Sequence, residues 1–309
     1  MLHFIVRRAI LGLCVCVAVL VVSFALTRLA GDVASGIAGP SATATDIAII
    51  RHNYGLDQPI IVQFLEWLQA ASEGDFGRSL LYHAPVAELI WSHLPVTLLL
   101  GLVGMSIAVL IGVPLGIVAA VYEGSATDHA IGLVALIGQA MPGFWLGLLL
   151  IIWFGLDLQW LPIAGADTWS GFILPGVVLA FSAIPALMRL TRAGMIEALA
   201  SDYARTARAK GLEQTAVVLK HALRNAAVPV VSIAAVQLGF MLGGSVVIEA
   251  VFALHGLGYL AWESISKDDF PVIQAVVLLL AVLYVGLTFL ADVLNAWLDP
   301  ALRRPAGAP

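Results

Sequence analysis

Six stretches of the chain carry no Asp, Glu, Lys, Arg or His: residues 9–26, 95–122, 130–156, 168–188, 225–248 and 270–291. A helix needs about 20 apolar residues to cross a bilayer, so the pattern predicts an all-α membrane protein with six transmembrane helices. Arg7 and Arg8 precede the first run, as in a signal peptide. No small-residue cleavage site stands out before Gly31, and a retained helix is expected. The chain then divides into a first helix (1–30), a segment of short amphipathic helices (31–94), a five-helix core (95–300) and a tail (301–309).

Proline and small polar residues punctuate the runs. Pro114, Pro142, Pro175 and Pro185 each remove a backbone hydrogen bond, and the freed carbonyls must face protein or a cavity. Gln139, Met141, Ser182 and Gln237 stand near these positions. They are candidates for lining a pathway, with ordinary helix packing as the competing role. Gly239, Gly243 and Gly244 permit close helix approach in the fifth run, as at an intersubunit contact.

Three connections look like turns or surface helices. Helical spacing around Ile60, Phe64, Trp67 and Leu68 marks the 31–94 segment, while 157–171 and 253–269 read as turns. The fourth connection, 189–224, is long and basic. Helix formers dominate residues 196–210, Gly211 supplies the left-handed residue that often ends a helix, and helical composition resumes until Asn225. Two short helices with a bend at Gly211 are therefore expected. Ala204, Ala207 and Gly211 recur at intervals of three and four, giving a smooth face flanked by Arg205, Arg208 and Lys210. Such a face suits close docking of another protein; the competing use is contact with anionic lipid.

Composition narrows the classes. Hydrophobic residues make up 61% of the chain and charged ones 11%, against about 25% charged in soluble domains. The net charge of −5 shows no basic excess, so nucleic acid is not an expected partner. Basic residues nonetheless cluster. Placing both termini in the cytoplasm puts 11 of the 15 Lys and Arg there and leaves Arg28, Arg51, Arg78 and Lys267 outside.

Little catalytic chemistry is legible. The lysines Lys210, Lys220 and Lys267 are followed by Gly, His and Asp, so none completes a G-x-x-x-x-G-K-[ST] phosphate loop. H-E-x-x-H and G-x-S-x-G are absent, and Cys14 and Cys16 lie two apart in an apolar run. No catalytic, cofactor or metal site is expected. A transporter driven by an ion gradient is the alternative, but such proteins commonly place ionisable groups at membrane depth. Glu249 and Asp292 follow the fifth and sixth runs and are expected near the interfaces.

The motifs carry a resemblance. Asp202-Tyr203-Ala204-Arg205-Thr206-Ala207-Arg208-Ala209-Lys210-Gly211, followed by His221-Ala222-Leu223-Arg224-Asn225 and Pro229, is similar to the cytoplasmic loop of ABC importer permeases in the dipeptide, oligopeptide and nickel family. The likeness extends to Gly74-Asp75-Phe76-Gly77-Arg78-Ser79, to Glu249-Ala250-Val251-Phe252 with Gly256-Leu257-Gly258, and to Leu298-Asp299-Pro300. The general importer loop has Glu-Ala-Ala where this chain has Arg205-Thr206-Ala207, and proline where it has Arg224; both departures match the peptide-type variant.

The resemblance implies a type I ABC importer permease fold in a bacterial inner membrane. It implies a second, related permease, two ATPase subunits that hold ATP and Mg, and an external binding protein that delivers a peptide-like solute. Glu197, Asp202 to Ala207, Arg208, Lys210, Gly211, His221, Arg224 and Asn225 would then form the ATPase-coupling loop within residues 189–228. Asp75, Phe76, Gly77, Arg78 and Ser79 would contact the binding protein or shape an outer gate, with a structural role in the external segment equally open.

Overall fold

The computed structural model describes residues 2–30, 33–39, 42–53 and 55–298; the tail with Arg303 and Arg304 lies outside them. Helix α1 (Leu2–Ala30) is followed by three short helices, α2 (Val33–Ala38), α3 (Ala44–Asn53) and α4 (Ile60–Ser72). Then come α5 (Val86–Val121), α6 (Ala126–Ala140), α7 (Gly143–Leu150) and α8 (Ile173–Ala200). The chain continues through α9 (Asp202–Ala209), α10 (Gln214–Ala216), α11 (Leu223–Val251), α12 (Leu257–Ser266) and α13 (Phe270–Leu298). No strand occurs among the described residues.

Five helical stretches are long and apolar enough to cross a membrane: Ile5–Arg28, Val86–Val121, Trp169–Ala200, Gln214–Val251 and Phe270–Leu294. The third predicted span departs from a straight helix. It is a pair, Ala126–Ala140 and Gly143–Asp157, bent by 99°. Met141 (φ −80°, ψ 129°) and Pro142 (φ −65°, ψ 129°) are both extended, because a residue before proline is pushed out of the helical region. Residues 151–157 then wind as a π-helix.

Small residues decide how the core packs. Gly104, Ala108, Gly112 and Gly116 recur every four residues along α5 and are all buried. A Cβ at Gly104 would stand 3.1 Å from the Leu179 Cβ, and one at Gly116 only 2.6 Å from the Met188 carbonyl oxygen. Helices α5 and α8 can therefore lie almost backbone to backbone. Around this seam Leu100, Val178, Leu187, Met241 and Phe252 form one buried cluster. A second cluster at one end joins Val86, Ile90 and Leu94 of α5 to Leu257, Leu260 and Val272. A third at the other end joins Ala120, Met195, Ala198, Val218 and Ala222.

Several boundaries differ from the sequence reading. Helix α5 begins at Val86 and carries Pro95 inside it. The 253–269 connection is no mere turn, since it contains α12. In the 31–94 segment α4 packs on α1, with Phe64 and Trp67 against the Phe24 ring, while Ile60 faces outward. Gly239 lies against Tyr284 of α13, so its close contact is within the chain; Gly243 and Gly244 are open.

Candidate docking segment and its supports

The basic connection is held more firmly than its composition suggests. Helix α8 runs on to Ala200, and the break falls at Ser201 (φ −69°, ψ 158°), not within one helix over 196–210. Ser201 is the N-cap of α9: its hydroxyl accepts from the Ala204 N–H at 3.4 Å and donates to the Ala198 carbonyl at 2.6 Å. Asp202 in the first turn and Arg208 in the last suit the helix dipole. Gly211 has φ +82°, and its N–H bonds to the Arg208 carbonyl while the Leu212 N–H reaches the Ala207 carbonyl. These two bonds are the Schellman closure.

There is no separate second helix. α10, a π-helical turn (Val217–Ala222) and α11 follow one another without interruption, so the segment after Gly211 is the first part of the next span. His221 is half-buried in the π turn, whereas Arg224 and Asn225 are exposed on α11. Glu197 is exposed near the end of α8.

The small face is turned inward, which corrects the expected docking surface. Ala204 is 0% and Ala207 6% exposed, packed with Val217 and with Leu199 beside them. Methyl-sized side chains let α9 lie flat on the π turn, a contact internal to this chain. Arg208 braces it, donating to the Leu199 carbonyl at 3.2 Å and to Gln214 at 3.4 Å. What faces outward is Asp202, Tyr203 (41% exposed), Arg205, Thr206, Lys210 and Gly211. Arg205 and Asp202 stand 3.4 Å apart on the exposed face, where such pairs add little stability.

A Cβ at Gly211 would meet nothing within 4 Å. Gly211→Val is therefore expected to act through the backbone alone, at roughly 1–2 kcal/mol for a left-handed L-residue. Gly211→Asn should be tolerated better, since Asn visits that region more readily. Thermal unfolding of both variants in detergent checks this; equal melting would place the cost elsewhere.

Two ties join α8 to α6. Arg192 of α8 makes a two-pronged contact with Asp128 of α6, both bonds 2.7 Å. Arg189 donates to Gln139 Oε1 at 2.7 Å, so this pathway candidate already has a partner. Ser182 bonds its own helix at the Leu179 carbonyl, Met141 sits at the 141–142 break, and Gln237 is half-buried on α11. An apolar cavity of about 180 Å³ among α5, α6 and α8 is lined by the neighbouring Gly138 and Phe181, not by Gln139 or Ser182.

At the opposite end two carboxylates are buried, and sequence reasoning missed both. Glu249, expected near an interface, is 0% exposed. It accepts from the Thr97 hydroxyl at 2.8 Å, the Ser245 hydroxyl at 2.7 Å and the Tyr259 N–H at 2.8 Å. Thr97 in turn accepts from the Leu257 N–H at 2.7 Å. The signal was Gly256-Leu257-Gly258: a Cβ at Gly256 would stand 2.6 Å from Glu249 Oε2, and one at Gly258 2.7 Å from the Val246 Cα. The glycines let α12 close over the carboxylate. Asp292, by contrast, pairs with Arg8, tying α13 to α1.

Asp269 does for the 74–79 motif what Glu249 does for α12. It is fully buried and receives the Ser79 hydroxyl and the Leu80 and Leu81 N–H groups. Asp75 accepts from the Gly77 N–H at 2.8 Å, Gly77 has φ +80°, and Arg78 donates to the His83 carbonyl at 2.7 Å. Asp75, Gly77 and Arg78 stay exposed, Phe76 is partly covered and Ser79 is buried. Nearby, burial and then the Glu263 carboxylate push the Tyr82 phenol above its usual range.

Residues 112–304 match the family of binding-protein-dependent transport system inner membrane components, and residues 1–101 match the N-terminal region of such membrane components. The chain belongs to this family. It is a permease subunit of an ABC importer and a multi-pass inner-membrane protein, not an ion-gradient transporter. The permease is 45% identical over 306 residues to the glutathione transport system permease protein GsiC of Salmonella typhi, and 44% identical to that of Escherichia coli strain K12. Each comparison covers 98% of this chain and 99% of the relative. In fold it is similar to a chain of the MetNI methionine ABC transporter in an inward-facing conformation, with TM-score 0.58 and 21% identity over 68% of this permease and 96% of that chain.

Proposed function

We propose that this permease, paired with a second related permease, carries a short anionic peptide of the glutathione kind across the inner membrane. The observation that supports this most is the 45% identity to glutathione permeases along nearly the whole chain. An external binding protein delivers the solute, and two ATPase subunits, which hold ATP and Mg, drive the cycle. The ATPase contact is the outward side of α9, centred on Tyr203, Arg205 and Thr206, with Lys210, Glu197, His221 and Arg224 around it. The buried alanines serve as its seat. The open Gly243 and Gly244 on α11 suit close packing of the second permease.

In this reading both termini and α9 are cytoplasmic, and the 31–94 segment, including the Asp75 to Ser79 turn, faces the binding protein. The Asp269 clamp supports a shaped outer turn that would meet that partner.

Expressed with its partner subunits in cells lacking their own systems, the permease should confer uptake of labelled glutathione. Uptake of a neutral dipeptide without glutathione uptake would end the substrate assignment. A reporter fused after Gly74 should report the external side and one after Glu213 the cytoplasm. The same side for both would end the orientation.

A further inference from the structure

Where α1 reaches the 31–94 segment, a cavity with charged residues in a largely apolar wall adjoins an apolar groove. The cavity, about 590 Å³, is lined by Arg28, Gln63, Glu66, Asp75, Arg78 and Gln274 among others. The groove, about 400 Å³, lies between α1 and α13, lined by Ala18, Val22, Leu26, Thr27, Ile273 and Val277. The two adjoin: Thr27 of the groove and Gln274 of the cavity are hydrogen-bonded to each other, and Arg28 follows Thr27.

The cavity wall has unmet hydrogen-bonding capacity of both kinds. Arg28 Nε is a buried donor and Gln63 Oε1 a buried acceptor, each without a partner. The Gln63 side chain, 9% exposed, cannot turn to correct this, because its Nε2 is held by the Leu56 and Gln58 carbonyls. The Arg28 guanidinium rests on the Phe24 ring, 5.0 Å from its centre. Buried polar atoms are rarely left unpaired without a reason such as a bound group. Around them stand cationic Arg78 and anionic Glu66 and Asp75, so the cavity offers opposite charges to a single small occupant.

The groove fixes what kind of occupant fits both. From Ala18 to Thr27 it reaches about 13 Å along α1 at 1.5 Å per residue, close to the roughly 15 Å of one leaflet of a 30 Å hydrocarbon core. A soluble anion would use only the cavity.

We propose that the paired cavity and groove form a site for a zwitterionic aminophospholipid. Its phosphate lies at the Arg28 guanidinium, its ammonium points toward Glu66 and Asp75, and an acyl chain lies between α1 and α13. The lipid fastens the first helix and the α4 layer to α13. The site goes beyond the permease assignment and does not depend on which solute is carried.

The test uses the complete transporter, purified in detergent and depleted of lipid, then offered phosphatidylethanolamine, phosphatidylglycerol or phosphatidylcholine and weighed by native mass spectrometry. Phosphatidylethanolamine should be retained at one per chain, at least five-fold over the other two. Arg28→Gln should weaken retention about ten-fold, and Val22→Trp, which fills the groove, by a similar factor. Soluble phosphoethanolamine at equal concentration should not displace the lipid. In the unaltered protein, a lipid with a photoreactive group in its acyl chain should label residues 18–27 and 273–277. The proposal is overturned by unchanged retention in both variants, by displacement with phosphoethanolamine alone, or by absence of that labelling. It is equally overturned if a photo-crosslinker at Val22 captures a permease chain instead of lipid.

Discussion

Glu249→Ala is expected to be the most damaging single substitution at the α12 end of the permease. It removes the acceptor for the Thr97 and Ser245 hydroxyls and the Tyr259 N–H, in a site with no exposure to solvent. The Ser245 hydroxyl can fall back on the Leu242 carbonyl. The Tyr259 N–H, in the first turn of α12, loses its acceptor, and a buried donor left unpaired costs about 1–3 kcal/mol. A cavity the size of the lost carboxylate adds to this. The variant should melt well below the parent in detergent, with α12 newly open to protease. Glu249→Gln keeps the volume and one acceptor oxygen and should lose markedly less. Parent-like melting of the alanine variant would show that α12 is held by Leu257 and Leu260 alone.

Ala207→Trp should have the next largest effect, through the chain's own packing. An indole cannot occupy the space between α9 and Val217, and overpacking of a fitted contact costs about 1–3 kcal/mol. Helix α9 is expected to lift from its seat, become cleavable between Ser201 and Gly211 without any ATPase present, and lose transport by ten-fold or more. Tyr203→Ala, on the outward side, should impair coupling while leaving protease resistance intact. If Ala207→Trp stays protected and loses only ATPase association, the alanine face is itself the docking surface and the internal seat is wrong.

What the sequence made legible follows the length scale of each signal. The apolar runs are long and bounded by charge, so the all-α membrane fold and most spans are readable from hydropathy. The Gly211 turn was readable for a similar reason, since a left-handed residue leaves few choices. The third span was harder: it has the length and composition of a straight helix, and only Pro142 with its neighbour Met141 bends it. The alanine face was recognised as a contact face but assigned to the wrong partner. Periodicity says that Ala204 and Ala207 share a side, not whether that side meets Val217 or another protein.

The buried carboxylates were beyond the pattern altogether. Glu249 and Asp269 follow or precede apolar runs, where a solvated position is the ordinary expectation. Ser245 and Tyr259 are near Glu249 in the chain, but its donor Thr97 and the Asp269 donors at 79–81 are far away. The clearer trace was left by Gly256 and Gly258, whose missing side chains make room for Glu249. A carboxylate beside closely spaced glycines signals backbone closing over it.

The unbroken helical course from Gln214 to Val251, 38 residues, has a mechanical meaning. It begins against the seat of α9 at Val217 and ends at the Glu249 latch under α12. At 1.5 Å per residue it is a rod about 57 Å long. A tilt of one degree about its middle displaces each tip by about 0.5 Å, in opposite directions. A few degrees imposed at Val217 therefore suffice to draw Glu249 out of reach of the Tyr259 N–H, and a force applied to α12 would return along the same rod.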